Sequence, residues 1–141
     1  MKEINNNIQE INCSLKISEL LKEKGFNVPC SAAYIKEFVR NGKTGGDIFT
    51  GNIKLVKNPS YFLKPRFVCY APTHSIALEW IRVNFGIDII ADGVRYAGDE
   101  KASYYSAKVN GNSVLHKEKF DTPSEAIDAA LLYTLLTKLI L

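Results

Sequence analysis

The sequence predicts one α+β domain in which a small antiparallel sheet of about three strands packs against two or three helices. In two stretches the apolar residues recur with the period of a helix, and a third stretch near residue 123 opens with a strong helix-start signal. Between the last two stretches, residues 87–120 change to a period of two and contain the hairpin signal Asn110-Gly111-Asn112. Helices that flank a run of strands are typical of a helix-covered sheet. We therefore expect residues 1–141 to form a single domain.

The first helix is predicted to run from Ser14, which can cap its N-terminus, to Gly25, which suits the left-handed position after a helix. Its apolar residues recur at i, i+4, i+7 and i+8 and form one stripe, which consists of Cys13, Ile17, Leu20 and Leu21. Residues 1–13 show no comparable period over most of their length, so we expect them to be frayed.

The segment between the first two helices is the hardest part of the chain to interpret. Residues 32–39 are compatible with a strand or with a short helix, and Thr50-Gly51-Asn52 has the chemistry of a turn. We expect residues 40–66 to form a long basic loop region and residues 67–141 to form the main α+β core.

The second helix is predicted to begin at Thr73 and to end at Gly86. Five of its residues share one apolar face on a helical wheel, namely Ile76, Ala77, Trp80, Ile81 and Val83. Three strands are predicted after it. The first covers residues 87–91 and continues over residues 94–96 after a turn at Asp92-Gly93, and the others cover residues 103–109 and 114–120. In the second of these strands the residues expected to face the core are Tyr105, Ala107 and Val109.

The third helix has the clearest start signal in the chain. Thr122 suits the N-cap, Pro123 the first helical position, and Glu125 the third position of a capping box. Its expected core face contains Ala126, Ala129, Leu132, Tyr133, Leu136, Leu139 and Ile140. Three further apolar residues project toward other sides and are expected to form an interface for self-association, namely Ile127, Leu131 and Leu141. The alternative is that residues 1–11 or the long loop fold over them.

Composition places the protein in the cytoplasm. Its three cysteines, Cys13, Cys30 and Cys69, are odd in number and widely spaced, which indicates reduced thiols rather than a disulfide framework. They form no zinc-binding pattern with His74 or His116, so we expect neither a metal nor another cofactor. The polar first residues do not resemble a signal peptide, and residues 126–141 are too few to cross a bilayer. We therefore expect no membrane partner.

Catalytic patterns are weak throughout the chain. Gly42-Lys43-Thr44 lacks the earlier glycine of a phosphate-binding loop, because Glu37 occupies that position. A neutral His74 five residues after Cys69 leaves open a thiol–imidazole pair, which is the one enzymatic alternative that we retain. We assign no catalytic residue.

One constellation suggests an anionic partner. Residues 36–66 contain seven Lys or Arg and two Asp or Glu, a balance of +5, whereas the whole chain carries +3. Cations interleaved with aromatic rings suit single-stranded nucleic acid, because bases stack on the rings while the cations follow the phosphates. The residues concerned are Lys54, Lys57, Tyr61, Lys64, Arg66 and Tyr70. In the alternative reading, the rings enter the core and the lysines are merely solvated.

Several short motifs resemble a family of short uncharacterised proteins from phages and prophages of gut Bacteroidales. They are Cys13-Ser14-Leu15, the stretch from Leu20 to Phe26, Pro29-Cys30, Ala71-Pro72-Thr73, Trp80-Ile81-Arg82, Phe120-Asp121-Thr122 and Glu125-Ala126. The resemblance implies an accessory protein of a mobile element that works in a bacterial cytoplasm. It implies no activity, and it assigns a role to no residue.

Taken together, these observations predict a non-enzymatic interaction or binding protein of phage or prophage origin. Its expected partners are a second copy of itself or another protein. Weak binding of nucleic acid through residues 54–70 is the first alternative, and an enzyme with a site near Cys69 and His74 is the second.

Overall fold

The structure, a computed structural model, describes residues 11–58, 66–113 and 119–139. Its elements are α1 (Leu15–Glu23), β1 (Ala32–Arg40), β2 (Asp47–Lys57), β3 (Phe67–Tyr70), α2 (His74–Phe85), β4 (Ile89–Val94), β5 (Tyr104–Val109) and α3 (Pro123–Thr137). The α+β class is confirmed, and the strands form two antiparallel sheets, with the orders β2-β1-β3 and β4-β5. Of the third strand predicted at 114–120, residues 114–118 lie outside the described residues, and Phe120 bridges to Tyr105.

The helix boundaries predicted from local signals are confirmed. Each helix begins after a hydroxyl residue whose side-chain oxygen accepts a backbone N–H from three residues later, at Ser14, Thr73 and Thr122. Gly25 and Gly86 follow α1 and α2 with φ angles of +103° and +69°, which residues with a side chain rarely adopt.

The main core lies among the three helices and one face of the β4-β5 sheet. α3 packs on both strands of this sheet and also contacts α1 and α2. The predicted inward face of β5 is confirmed, since Ala107 and Val109 are buried and Tyr105 packs against the core. The largest fully buried apolar residues of this core are Leu21, Ile81, Leu131 and Leu135.

The prediction that Leu131 projects out of α3 is wrong. Leu131 is 0% exposed, whereas Leu136, a residue of the predicted core face, is 53% exposed. The physical reason is that α3 packs against other elements on several sides, so its buried surface is broader than one face of a wheel. Ile127 is half-buried and packs against the same core, and Leu141 lies outside the described residues.

The long loop predicted over residues 40–66 is wrong for much of that segment. Residues 32–40 form β1, and residues 47–57 form β2, which pairs with it along its length. Lys36 pairs with Ile53, and Phe38 pairs with Phe49. Between these two pairs β2 contains more residues than β1, so β2 forms a bulge there. Gly51, with a φ of +88°, lies in this bulge rather than in a turn that ends a strand.

Residues 11–13 are part of the fold, which corrects the prediction that residues 1–13 are frayed. Cys13 is fully buried and donates its N–H to the Pro72 carbonyl at 2.8 Å, and the His74 N–H reaches the Ile11 carbonyl at 2.9 Å. Residues 1–10 lie outside the described residues.

Candidate nucleic-acid interface

The hairpin formed by β1 and β2 carries aromatic and basic side chains in contact with one another. Phe38 lies opposite Phe49, and their ring centroids are 5.5 Å apart. The ammonium of Lys36 is 5.6 Å from the centroid of Phe49, within the range of a cation–π interaction. Phe49 is 42% exposed, so this contact lies at the surface. Alternation along the strands places Lys36, Phe38 and Phe49 on one face of the hairpin.

Arg66, which immediately precedes β3, extends this face. Its guanidinium lies 5.1 Å from the ring centroid of Phe38, and one of its nitrogens is 3.3 Å from the carboxylate of Asp47 at the start of β2. We call the set of Lys36, Phe38, Phe49 and Arg66 the hairpin surface. It contains two cations and two rings from three different strands or their ends.

The charge around the hairpin surface is strongly positive. Over residues 32–57 and Arg66 there are six Lys or Arg and two Asp or Glu, a balance of +4. In the described part of the chain, the only acid of this region in an ion pair is Asp47, with Arg66. The cations there that make no ion pair with a described residue are Lys36, Arg40, Lys43, Lys54 and Lys57.

The structure brings together only part of the nucleic-acid-binding set that was predicted from the sequence. Arg66 joins the hairpin surface, but Lys54 and Lys57 are opposite Ile35 and Ala32 of β1 and so point to opposite faces. Tyr70 is half-buried, packs against the core, and has its ring 4.9 Å from that of Phe67. Tyr61 and Lys64 lie outside the described residues.

Lys36, Phe38 and Phe49 are not among the site residues predicted from the sequence. The signal that would have found them is alternation across two paired strands, but this requires residues 47–57 to be recognised as a strand. β2 is mostly exposed, and its apolar residues Ile48, Phe49 and Leu55 do not alternate with polar ones in the usual way. Its strand character therefore depends on pairing with β1.

A catalytic thiol–imidazole pair needs an activated thiol, and Cys69 does not provide one. Burial raises the pKa of the Cys69 thiol to about 11, with Glu19 adding to the rise and Lys22 opposing it. Cys13 behaves in the same way, since burial first, and then the charges of Asp128 and Cys30, raise its pKa to about 12. Both thiols stay protonated near neutral pH and are poor nucleophiles.

His74 is engaged with a residue other than Cys69. Its Nε2 lies 2.7 Å from Oδ1 of Asp128, so the first turn of α2 is connected to α3. Within residues 11–58, 66–113 and 119–139, no group of three or more His, Cys, Asp or Glu side chains is placed to hold a metal ion. No helix in this part of the chain is long and apolar enough to cross a bilayer.

An apolar groove on α2 is a separate surface feature. Its volume is about 460 Å³, and its apolar lining comes from Ile76, Trp80 and Val83, with Val28 beside them. Val83 is 67% exposed and Ile76 is 38% exposed, so these two members of the predicted apolar face lie at the surface. The residues of α2 that are buried in the core are Ala77 and Ile81, which are not among the residues that line the groove.

The chain matches no protein-family model, no curated protein and no solved structure. A function for this chain is therefore inferred from the chemistry of its own surfaces.

Proposed function

We propose that this protein is a non-enzymatic binding protein and that its β1-β2 hairpin binds single-stranded nucleic acid. The observation that carries the proposal is the contact of Phe38 with Phe49 between two cations, Lys36 and Arg66, on a hairpin with a balance of +4. Rings supply stacking surface for bases, and the cations supply contacts for phosphates.

The chemistry of the surface favours a single strand over a duplex. A base face is available for stacking only when the base is not already stacked within a helix. Phe49 is exposed enough to receive such a base, and Lys36 next to it is placed to meet the adjoining phosphate. The Arg66–Asp47 ion pair is partly exposed, so Arg66 can exchange its carboxylate partner for a phosphate at small cost.

The cellular setting of the proposal is a bacterial cytoplasm, and the resemblance noted above would make the protein an accessory of a phage or prophage. Three free cysteines, Cys13, Cys30 and Cys69, support a reducing compartment. The raised pKa values of the two buried thiols, Cys13 and Cys69, count against a thiol nucleophile at either position.

Fluorescence anisotropy with a labelled single-stranded DNA at low and moderate salt tests the proposal. We expect binding that is strongest at low salt, and a loss of about tenfold in affinity for Phe49→Ala, since stacking of one base contributes about 1–3 kcal/mol. Lys101→Gln, which alters an exposed cation outside the hairpin, serves as the control and should bind as wild type. Absence of binding at low salt, or equal affinity of Phe49→Ala and wild type, would overturn the proposal.

Self-association is a second candidate function, and the exposed strip on α2 favours it. Ile76, Trp80 and Val83 recur at i, i+4 and i+7, which is the spacing of a helix face that packs on another helix. A second copy supplies the same strip, as a two-fold interface requires. Light scattering after size exclusion should show a dimer that Val83→Glu converts to a monomer. A wild-type monomer at high concentration would exclude this candidate.

A further inference from the structure

The β4-β5 sheet has an exposed outer face that its packing does not use. α3 packs on the opposite face, and Ala107 and Val109 point toward it. By strand alternation, Tyr104, Ser106 and Lys108 therefore point outward from β5. A groove of about 480 Å³ lies on this outer face, and its lining includes Asp92, Val94, Arg95, Tyr104, Ser106 and Lys108.

The register of the two strands places different chemistry along the groove. Val94 is opposite Tyr104 at one end, Asp92 is opposite Ser106 in the middle, and Lys108 follows at the other end. The positive charge of Lys108 is compensated, because its ammonium lies 3.4 Å from the Asp92 carboxylate. The middle of the groove thus offers a hydroxyl and a carboxylate, which are partners for hydroxyl groups of a ligand.

The Tyr104 end of the groove has an excess of positive charge. The ammonium of Lys119 lies 5.0 Å from the centroid of the Tyr104 ring, and Arg95 directly follows β4 on the facing strand. Neither cation forms an ion pair with a residue in the described ranges. An aromatic ring with one cation over it, and a second cation in the lining of the same groove, is a suitable environment for an anionic group attached to a ring system.

We infer that this groove binds a small ligand that joins an anionic group to an aromatic ring and a hydroxyl-bearing sugar, as a nucleoside monophosphate does. Arg95 and Lys119 contact the phosphate, the Tyr104 ring stacks with the base, and Asp92 and Ser106 meet the sugar hydroxyls. Arg95, Tyr104, Asp92 and Ser106 line the groove. Lys119 is not part of this lining, but its ammonium lies against the ring of Tyr104.

The inference is independent of the proposed function. The groove shares no residue with the hairpin surface, which lies on β1, β2 and Arg66. The two sites can therefore be separated by substitution, and failure at one leaves the other intact.

Isothermal titration calorimetry with adenosine 5′-monophosphate, adenosine and inorganic phosphate tests the inference. We expect one site for the monophosphate and binding about tenfold weaker or more for adenosine and for phosphate, because each lacks one of the two contacts. Arg95→Gln combined with Lys119→Gln should weaken monophosphate binding about tenfold. Tyr104→Leu should weaken it to a similar degree, whereas Tyr104→Phe, which keeps the ring, should retain it.

Two controls keep this test specific. Phe49→Ala on the hairpin and Lys101→Gln outside the groove should bind the monophosphate as wild type does. Circular dichroism should show that each variant is folded. No heat of binding at millimolar monophosphate, equal affinity for phosphate alone, or equal affinity of Tyr104→Leu and Tyr104→Phe would overturn the inference.

Discussion

Nε2 of His74 and Oδ1 of Asp128 lie 2.7 Å apart and connect the first turn of α2 to α3. The imidazole is 10% exposed and the carboxylate 41% exposed, so the histidine depends on this partner more than the aspartate does. A nearly buried polar group without a partner loses its hydration without replacement, which destabilises the folded state.

Asp128→Ala should therefore lower the free energy of unfolding by about 1–3 kcal/mol, because it leaves the His74 ring without its hydrogen bond. Urea denaturation followed by circular dichroism measures this change. Asp99→Ala, at an exposed position, should change stability by no more than about 0.5 kcal/mol. Equal effects of the two substitutions would contradict the role of the pair.

Leu131 and Leu136 provide a matched test of burial within one helix. Leu131→Ala should destabilise the protein by about 2–5 kcal/mol, since it opens a cavity in the core, whereas Leu136→Ala should cost about 0.5 kcal/mol or less. Thermal and urea unfolding of both variants measures the difference. If Leu136→Ala were the more damaging, the described orientation of α3 would be wrong.

Gly93 in β4 has neighbours too close for a side chain. A Cβ at this position would lie 3.0 Å from Cβ of Ala102 and 3.3 Å from Cε1 of Tyr105. Gly93→Ala should therefore destabilise the protein by about 1–3 kcal/mol through overpacking. Gly42→Ala, where nothing lies within 4 Å, is the matched control and should be close to neutral in the same unfolding assay. Equal stability of both variants would show that Ala102 and Tyr105 adjust freely.

The buried thiols should make stability decline in alkaline solution. Folding raises the pKa of Cys13 from 9.0 to about 12 and that of Cys69 from 9.0 to about 11, through burial first. The unfolded chain therefore loses these protons first, so the thiol contribution is fully present below pH 9 and is lost as the pH rises toward 11 or 12. Urea unfolding at a series of pH values should show this decline, and Cys13→Ala should make it shallower. An unchanged slope would contradict it.

The hairpin surface predicts different signatures for its cation and its ring. Lys36→Gln should reduce the slope of log Kd against log salt by about one, because one phosphate contact is lost. Phe49→Ala should weaken binding with the salt slope unchanged, since stacking releases no counterion. Anisotropy titrations at several salt concentrations separate the two effects. A reduced slope for Phe49→Ala as well would mean that the ring acts through the placement of Lys36.

The helix boundaries could be predicted because they depend on local chemistry. The hydroxyls of Ser14, Thr73 and Thr122 bond to amides only three residues later, and Gly25 and Gly86 adopt backbone angles suited to glycine. The β1-β2 hairpin could not be predicted in the same way. Its second strand buries little surface, so it lacks the apolar alternation by which a half-buried strand is recognised.

For the candidate site, the sequence therefore predicts the types of residue but not their contacts. An aromatic and basic character between residues 36 and 70 is visible in the chain, but the contacts of Phe49 with Lys36 and Phe38 depend on the register of two strands. A shift of one residue in that register would turn the rings to the other face.

The starts of the three helices and the α+β class could be predicted from the chain, because these properties follow from neighbouring residues. The burial of Leu131, the exposure of Leu136 and the pairing of cations with rings on the hairpin became clear only from the folded chain. Those outcomes depend on contacts between segments that are far apart in the chain. The free energy of such contacts comes from tertiary packing, which cannot be predicted from the pattern of neighbouring residues.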